Sequence, residues 1–258
     1  MTEEELENWK NVNSAKLFIS KNYYHHHAFE ILNTHKNLHE DFTNSLDSEI
    51  AIESRVKTTK QKKSKAIKAS FLNVELRKLL DNKLKSEVKF EVNEEKGVFY
   101  FSSIKNAIGG FDFAVLDHKR NLNALRNLCF GELHYHDGIK RWNKFLGKNK
   151  DLQELADSLI DSKNLGKDIN YTDYNNFKPL IVGEFQFGNW ALAYRDFFKV
   201  LKANVQNSID CLIYIVPTGN LESMLSDGIV TFDKTTKILQ EFTKVVSVPV
   251  WVIGLDIK

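Results

Sequence analysis

Leu180-Ile181-Val182-Gly183-Glu184-Phe185-Gln186-Phe187-Gly188-Asn189-Trp190 is an apolar run interrupted by one carboxylate and two amides. Its length and near-continuous hydrophobicity predict a buried strand over Leu180 to Phe187. Downstream, the hydrophobic period switches regularly. Ala191 to Val205 predicts a helix, Cys211 to Val216 a strand, Asp233 to Val245 a helix and Val250 to Leu255 a strand. Apolar strands alternating with amphipathic helices imply a sheet covered on both faces, hence an α/β class.

Glu184 is the anomaly in the deciding strand. Side chains alternate across an extended chain, so Glu184 and Gln186 share one face while Phe185 and Phe187 enter the other layer. A carboxylate so placed is costly to bury unless it is paired or binds a metal. Asp173 lies upstream on a preceding turn or strand, so two carboxylates and an amide can converge on one point. Such oxygen ligands suit Mg²⁺, which polarises a phosphodiester and lowers the pKa of an attacking water. The alternative from pattern alone is a core Glu paired with a Lys or Arg.

Toward the N-terminus the organisation is less regular. Residues 3 to 11 read as a polar helix and Lys16 to Ser20 as a short strand. Ala28 to Ile52 carries apolar residues mostly at three- and four-residue steps, predicting a helix broken near Asn33; Asn73 to Lys85 predicts another. Alternation from Glu87 to Phe101, with a turn at Asn93 to Gly97, predicts a β-hairpin, and Phe111 to Asp117 is strand-like. Residues 151 to 161 read as a helix. No linker or repeat is visible, so a single domain over 1–258 is the simplest account.

The totals of 36 Lys plus Arg against 34 Asp plus Glu hide a local asymmetry. Arg55, Lys57, Lys60, Lys62, Lys63, Lys65 and Lys68 follow one another without an acid, interleaved with hydroxyls and an amide. This mixture makes phosphate contacts, so the run reads as a nucleic-acid backbone contact, with a solvated basic loop or helix face as the alternative. No run is long and apolar enough for a membrane span, and Met-Thr-Glu-Glu-Glu is not a signal, which gives the expectation of a soluble, intracellular protein. Cys129 and Cys211 sit in apolar surroundings, as buried reduced thiols do. His25-His26-His27 is too compact for three ligands to one metal and reads as a polar surface stretch or DNA-facing loop. His134 and His136 would lie side by side on a strand, but a third zinc ligand at defined spacing is missing. Phosphate-binding, dinucleotide-binding and serine-hydrolase motifs are absent, which argues against nucleotide-driven, redox and serine-hydrolase chemistry.

An Asp followed by a strand carrying Glu-x-Lys or Glu-x-Gln resembles the active-site pattern of the PD-(D/E)XK nucleases. The chain is similar to the BglII/BstYI/BamHI-like group of type II restriction endonucleases in Thr172-Asp173-Tyr174, Glu184 to Trp190, Ala193 to Phe198, Ile209 to Pro217, Ser226 to Ile229 and Val248 to Gly254. A weaker echo covers residues 54 to 84. The resemblance implies a PD-(D/E)XK restriction-endonuclease-like fold, a central mixed β-sheet flanked by helices, with a catalytic core over about 151–258, a DNA-contacting segment over about 54–70 and an insertion over about 97–150. Asp173 and Glu184 would be metal ligands with the Phe185 backbone carbonyl, and Gln186 would orient groups near the scissile phosphate. The group's fourth acid has no firm counterpart; Glu154 and Glu132 are the candidates. Asn189, Arg195, Ser226 and Asp227 would contact DNA together with Lys57, Lys60, Lys62, Lys63 and Lys65, although Gly228 stands where one branch carries an arginine. Asp112 with Asp117-His118-Lys119 is a looser second match to the nuclease pattern. The implied activity is Mg²⁺-dependent hydrolysis, with Mn²⁺ as a substitute, of double-stranded DNA at a short GATC-centred or related palindrome, leaving four-base 5′ overhangs. A homodimer in a prokaryotic cytoplasm, paired with a cognate DNA methyltransferase, completes the expectation. Its rivals are a low-specificity repair or homing nuclease and a DNA-binding protein with an inactive nuclease fold.

Overall fold

Helix α1 (Glu3–Lys10) begins at Thr2, whose hydroxyl accepts a hydrogen bond from Glu5 N while the Glu5 carboxylate accepts one from Thr2 N, a capping box. Strand β1 (Ser14–His25), helices α2 (Ala28–Thr34) and α3 (Lys36–Ser45), and strands β2 (Ser48–Ala51), β3 (Ser54–Thr59) and β4 (Lys62–Ile67) follow. Next come α4 (Ala69–Lys83), β5 (Val88–Val92), β6 (Phe111–Val115), α5 (His118–Phe130), α6 (Gly138–Lys148) and α7 (Gln153–Leu159). The chain ends β7 (Ile181–Phe185), α8 (Ala191–Asn204), β8 (Cys211–Pro217), α9 (Gly219–Met224), α10 (Phe232–Glu241) and β9 (Val250–Ile257). This computed structural model describes residues 2–59, 62–84, 88–92, 110–115, 117–132, 134, 136–159, 179–204 and 209–258.

Among the described residues seven strands form one mixed sheet in the order β2-β1-β9-β8-β7-β6-β5, and β3 and β4 make a separate antiparallel hairpin. The β7-β8 and β8-β9 pairs are parallel, as strands linked by helices must be; the outer pairs are antiparallel. One face of the sheet packs Phe113, Phe185, Ile213 and Trp251 against Leu32, Phe42 and Leu76 of α2, α3 and α4. The opposite face packs Val182, Leu212 and Tyr214 against Ala193, Phe197 and Val200 of α8 and Leu239 of α10. Full burial of each such side chain contributes about 1.5–3 kcal/mol. Both faces of β7, β8 and β9 are covered, which is why these strands read as unbroken apolar runs.

The structure differs from the sequence reading in four places. The helix expected over Ala28 to Ile52 is two helices and a strand, because His35 (φ −119°, ψ 53°) leaves helical space and Ser48 to Ala51 alternates buried and exposed. Val88–Val92 pairs with β6, and residues 98 to 101 of the expected hairpin lie outside the described residues. The basic run is a β-hairpin, not a loop or helix face. His134 lies in a turn between α5 and α6 and not on a strand, its Nδ1 2.8 Å from the Gly131 carbonyl. His25 closes β1 as a buried residue, with Nε2 2.9 Å from the Val246 carbonyl, so the three-histidine run is not wholly a surface stretch. Helices α5 to α7 carry their own cluster of Leu122, Leu125, Trp142, Leu146 and Ala156. They sit between β6 and β7 in the chain.

Candidate active site

Strand β6 pairs antiparallel with β7, Phe113 opposite Gly183, and one further step along that register reaches Asp112 and Glu184. The pairing needs a glycine. A Cβ on residue 183 would sit 1.9 Å from the Phe113 ring. With that ring seated over Gly183, Asp112 comes opposite Glu184 at the end of the strand pair, and Asp112 Oδ2 accepts a hydrogen bond from Phe185 N at 2.8 Å. Arg77 of α4 holds the other oxygen, Nη2 donating to Asp112 Oδ1 at 2.8 Å, and also pairs with Glu91.

Glu184 points toward α8. Its side chain is 7% exposed and is ion-paired with Lys199, itself 3% exposed. The Lys199 ammonium donates to the Gly110 carbonyl at 2.8 Å, lies 3.7 Å from Asp196 Oδ1 and stands 4.7 Å from the centre of the Phe111 ring. Burial is the largest influence on Glu184 and holds its carboxyl well above the usual carboxylate range. Lys199 pulls it back down, while Asp112 and Asp196 push it further up. Glu184, Asp196 and Lys199 therefore share a nearly dry site beneath α8, with the partly exposed Asp112 near enough to act on Glu184.

Gln186 extends this network. Its Nε2 donates to Asp196 Oδ2 at 2.7 Å and its Oε1 accepts from Gly188 N at 3.1 Å. Tyr214 of β8 donates to the same Asp196 oxygen at 3.1 Å, and burial followed by the Asp196 charge pushes the phenol well above its ordinary range. Asp196, fully buried, thus ties β7, β8 and α8 together. Asp196 and Lys199 were not singled out in the sequence. Their signal is a pair of charges on the buried stripe of α8 formed by Ala193, Phe197, Val200 and Ala203.

Asn189 Oδ1 accepts from Ala191 N at 2.9 Å and so caps α8. Its backbone bridges to Ile229, and Trp190 N donates to the Gly228 carbonyl, which brings Ser226 and Asp227 beside Asn189. Asp227 lies 3.6 Å from the Lys57 ammonium, so the basic hairpin borders the same ridge. Arg195 is half exposed and reaches Asp196 Oδ1 at 3.3 Å. Asp173 and Lys60 fall outside the described residues. Glu132 and Glu154 are exposed, on the α5–α7 segment, and neither is among the charges acting on Glu184.

In space the acid-free basic run is not free of acids. Arg55 and Lys68 pair with Glu53, Lys63 with Glu3, and Lys65 stands 5.2 Å from the centre of the Trp9 ring. Such exposed pairs are worth little and exchange readily for other anions. Both cysteine thiols are pushed up to about 12 by burial, which leaves them protonated and unreactive at neutral pH. Among the described residues no cluster of three His, Cys, Asp or Glu is placed to hold a metal, and no helix is long and apolar enough to cross a membrane.

The chain matches the profile of the restriction endonuclease BglII/BglIII family over residues 20–255. It belongs to that family. The chain is accordingly a type II site-specific deoxyribonuclease, built on a mixed sheet flanked by helices. Among solved structures, it is similar to the restriction endonuclease BglII complexed with a DNA 16-mer, at 14% identity and a TM-score of 0.48, covering 93% of this chain and 77% of that one. It is also similar to free BglII, at 13% identity and a TM-score of 0.38, covering 93% and 78%. No curated protein sequence matches it.

Proposed function

We propose that this BglII-family enzyme hydrolyses double-stranded DNA at a short palindrome, GATC-centred or related, leaving four-base 5′ overhangs, with Asp112 and Glu184 as its carboxylate pair. The observation that carries the reading is the placement of Asp112 beside Glu184 by the β6-β7 register. Asp112 takes the role that spacing alone gives to Asp173. The donor set is all oxygen, and Mg²⁺ takes one or two carboxylates together with substrate phosphates rather than a full protein cage. The two carboxylates with the Phe185 carbonyl would hold Mg²⁺ or Mn²⁺, which when bound supplies the charge that polarises the phosphodiester and acidifies water.

The chain's own groups have separable tasks. Gln186 is neutral and cannot serve as a base; by bonding Asp196 and Gly188 N it fixes the turn that carries Asn189. Asn189, Ser226 and Asp227 form a ridge for reading base edges, with Arg195 nearby. Lys57, Lys60, Lys62, Lys63 and Lys65 supply non-specific affinity that falls with salt. A homodimer presents one such site to each strand of a palindrome. Trp190, Tyr194 and Phe198 recur at four-residue steps at and along α8 and are exposed at 47%, 42% and 61%, and this stripe is where the second copy would pack. A cognate methyltransferase in a prokaryotic cytoplasm, and a single domain over 1–258, belong to the same reading.

The test is a digest of unmethylated phage DNA with and without Mg²⁺, with the fragment ends sequenced, using wild type, Glu184→Ala, Asp112→Ala and Asp173→Ala. Discrete fragments from wild type and from Asp173→Ala, with none from the other two, are expected. Wild-type rates from Glu184→Ala would sink the reading, and loss of cutting in Asp173→Ala alone would return the first acid to Asp173. A smear would indicate a low-specificity nuclease, and salt-sensitive binding without cleavage an inactive fold.

A further inference from the structure

Lys199 occupies an unusual place. Its ammonium is nearly excluded from water and is held by a carboxylate of β7 and by the carbonyl of Gly110, two residues before Asp112. A carboxylate with a main-chain carbonyl is the ligand pair that a hard divalent cation takes. The cation comes from α8, and the strand position beside Glu184 that could have carried one is the neutral Gln186.

We propose that Lys199 is a resident stand-in cation, a positioning residue that neutralises and orients Glu184 in the metal-free enzyme and competes with the incoming divalent ion for the Glu184 carboxylate. Without it, Glu184 would be buried beside Asp196, under the charge of nearby Asp112 and with no cation, an arrangement that strongly destabilises a buried charge. With it, the metal-free protein keeps a formed site at the cost of weaker metal binding. The ammonium does not depart far when metal enters, because Asp196 one turn earlier on α8 offers a second carboxylate at 3.7 Å. Lys199 therefore exchanges Glu184 for Asp196, and Asp196 is held ready by Gln186 and Tyr214.

This inference rests on Glu184 being a metal ligand, and the test separates the two claims. Ca²⁺ binding is measured by calorimetry, and its effect on melting temperature is recorded, for wild type, Glu184→Ala, Lys199→Met and Lys199→Arg without DNA. Lys199→Met should melt earlier without metal, bind Ca²⁺ about tenfold more tightly than wild type, and gain more in melting temperature from it. Lys199→Arg, which keeps the charge, should bind no more tightly than wild type. Equal or weaker Ca²⁺ binding by Lys199→Met, or tighter binding by Lys199→Arg, overturns the stand-in role. Equal binding by wild type and Glu184→Ala overturns the ligand reading instead. If Lys199→Met does not fold, Lys199→Gln carries the same expectation, because its amide still reaches a carbonyl without bringing a charge.

Discussion

Gly183 shows how much one missing side chain decides. The Phe113 ring occupies the space a Cβ would take, packs on Phe185 at 5.1 Å between ring centres, and fixes the register that aligns Asp112 with Glu184. Gly183→Ala must displace that ring within a core that has no slack, and should cost about 3 kcal/mol or more in urea unfolding. Cleavage should fall more than stability alone explains, because the two carboxylates move apart when β6 shifts. An unchanged unfolding midpoint would mean the ring has room that the structure does not show. Glu184 was legible as a carboxylate in an apolar strand. Asp112 was legible only in a looser second match and not as a neighbour of Glu184, because the pairing that makes it one joins residues 72 positions apart in the chain (184 minus 112). Spacing arguments favour near neighbours, and Asp173 is the nearer acid.

At the scale of elements, the histidines of the β1–α3 corner set a pH limit. Burial lowers the pKa of His25 against the opposing pull of the Val246 carbonyl, and burial likewise lowers His35 and His39. A histidine depressed in the folded state takes up its proton first in the unfolded chain. Its contribution is therefore fully present above the unfolded value, about 6.5, and is lost as pH falls through the folded values. The melting temperature should drop between pH 7.5 and 5, and a His25→Asn, His39→Phe double variant should show a shallower drop. Parallel slopes for the two proteins would refute this. The corner also shows where sequence reading of elements failed. Leu46, Ile50 and Ile52 fit a helical and an extended period equally over so short a span, and only pairing of Ile50 with Ala15 of β1 selects the strand. From β7 onward, strands covered on both faces and helices with one apolar stripe left no such ambiguity. Every predicted element there is present, with ends shifted by a few residues.

For the whole molecule, the exposed α8 stripe would be the dimer seam in the proposed assembly. Light scattering should find a dimer in wild type and a monomer in Phe198→Lys, with cleavage of palindromic duplex reduced at least about a hundredfold in the monomer if two sites must act together. A monomeric wild type that cuts both strands would remove the stripe from that role. The strand order carries a further consequence. The first long strand, β1, pairs with the last, β9, and β9 also separates β1 from β8. A ribosome must therefore translate through residue 257 before the sheet can join its two halves. A stop codon after Val248 should yield a chain with neither cooperative melting nor cleavage. On that expectation translation order would itself act as a safety catch: DNA hydrolysis, dangerous to the cell that makes the enzyme, would be withheld from a nascent chain until β9 emerges.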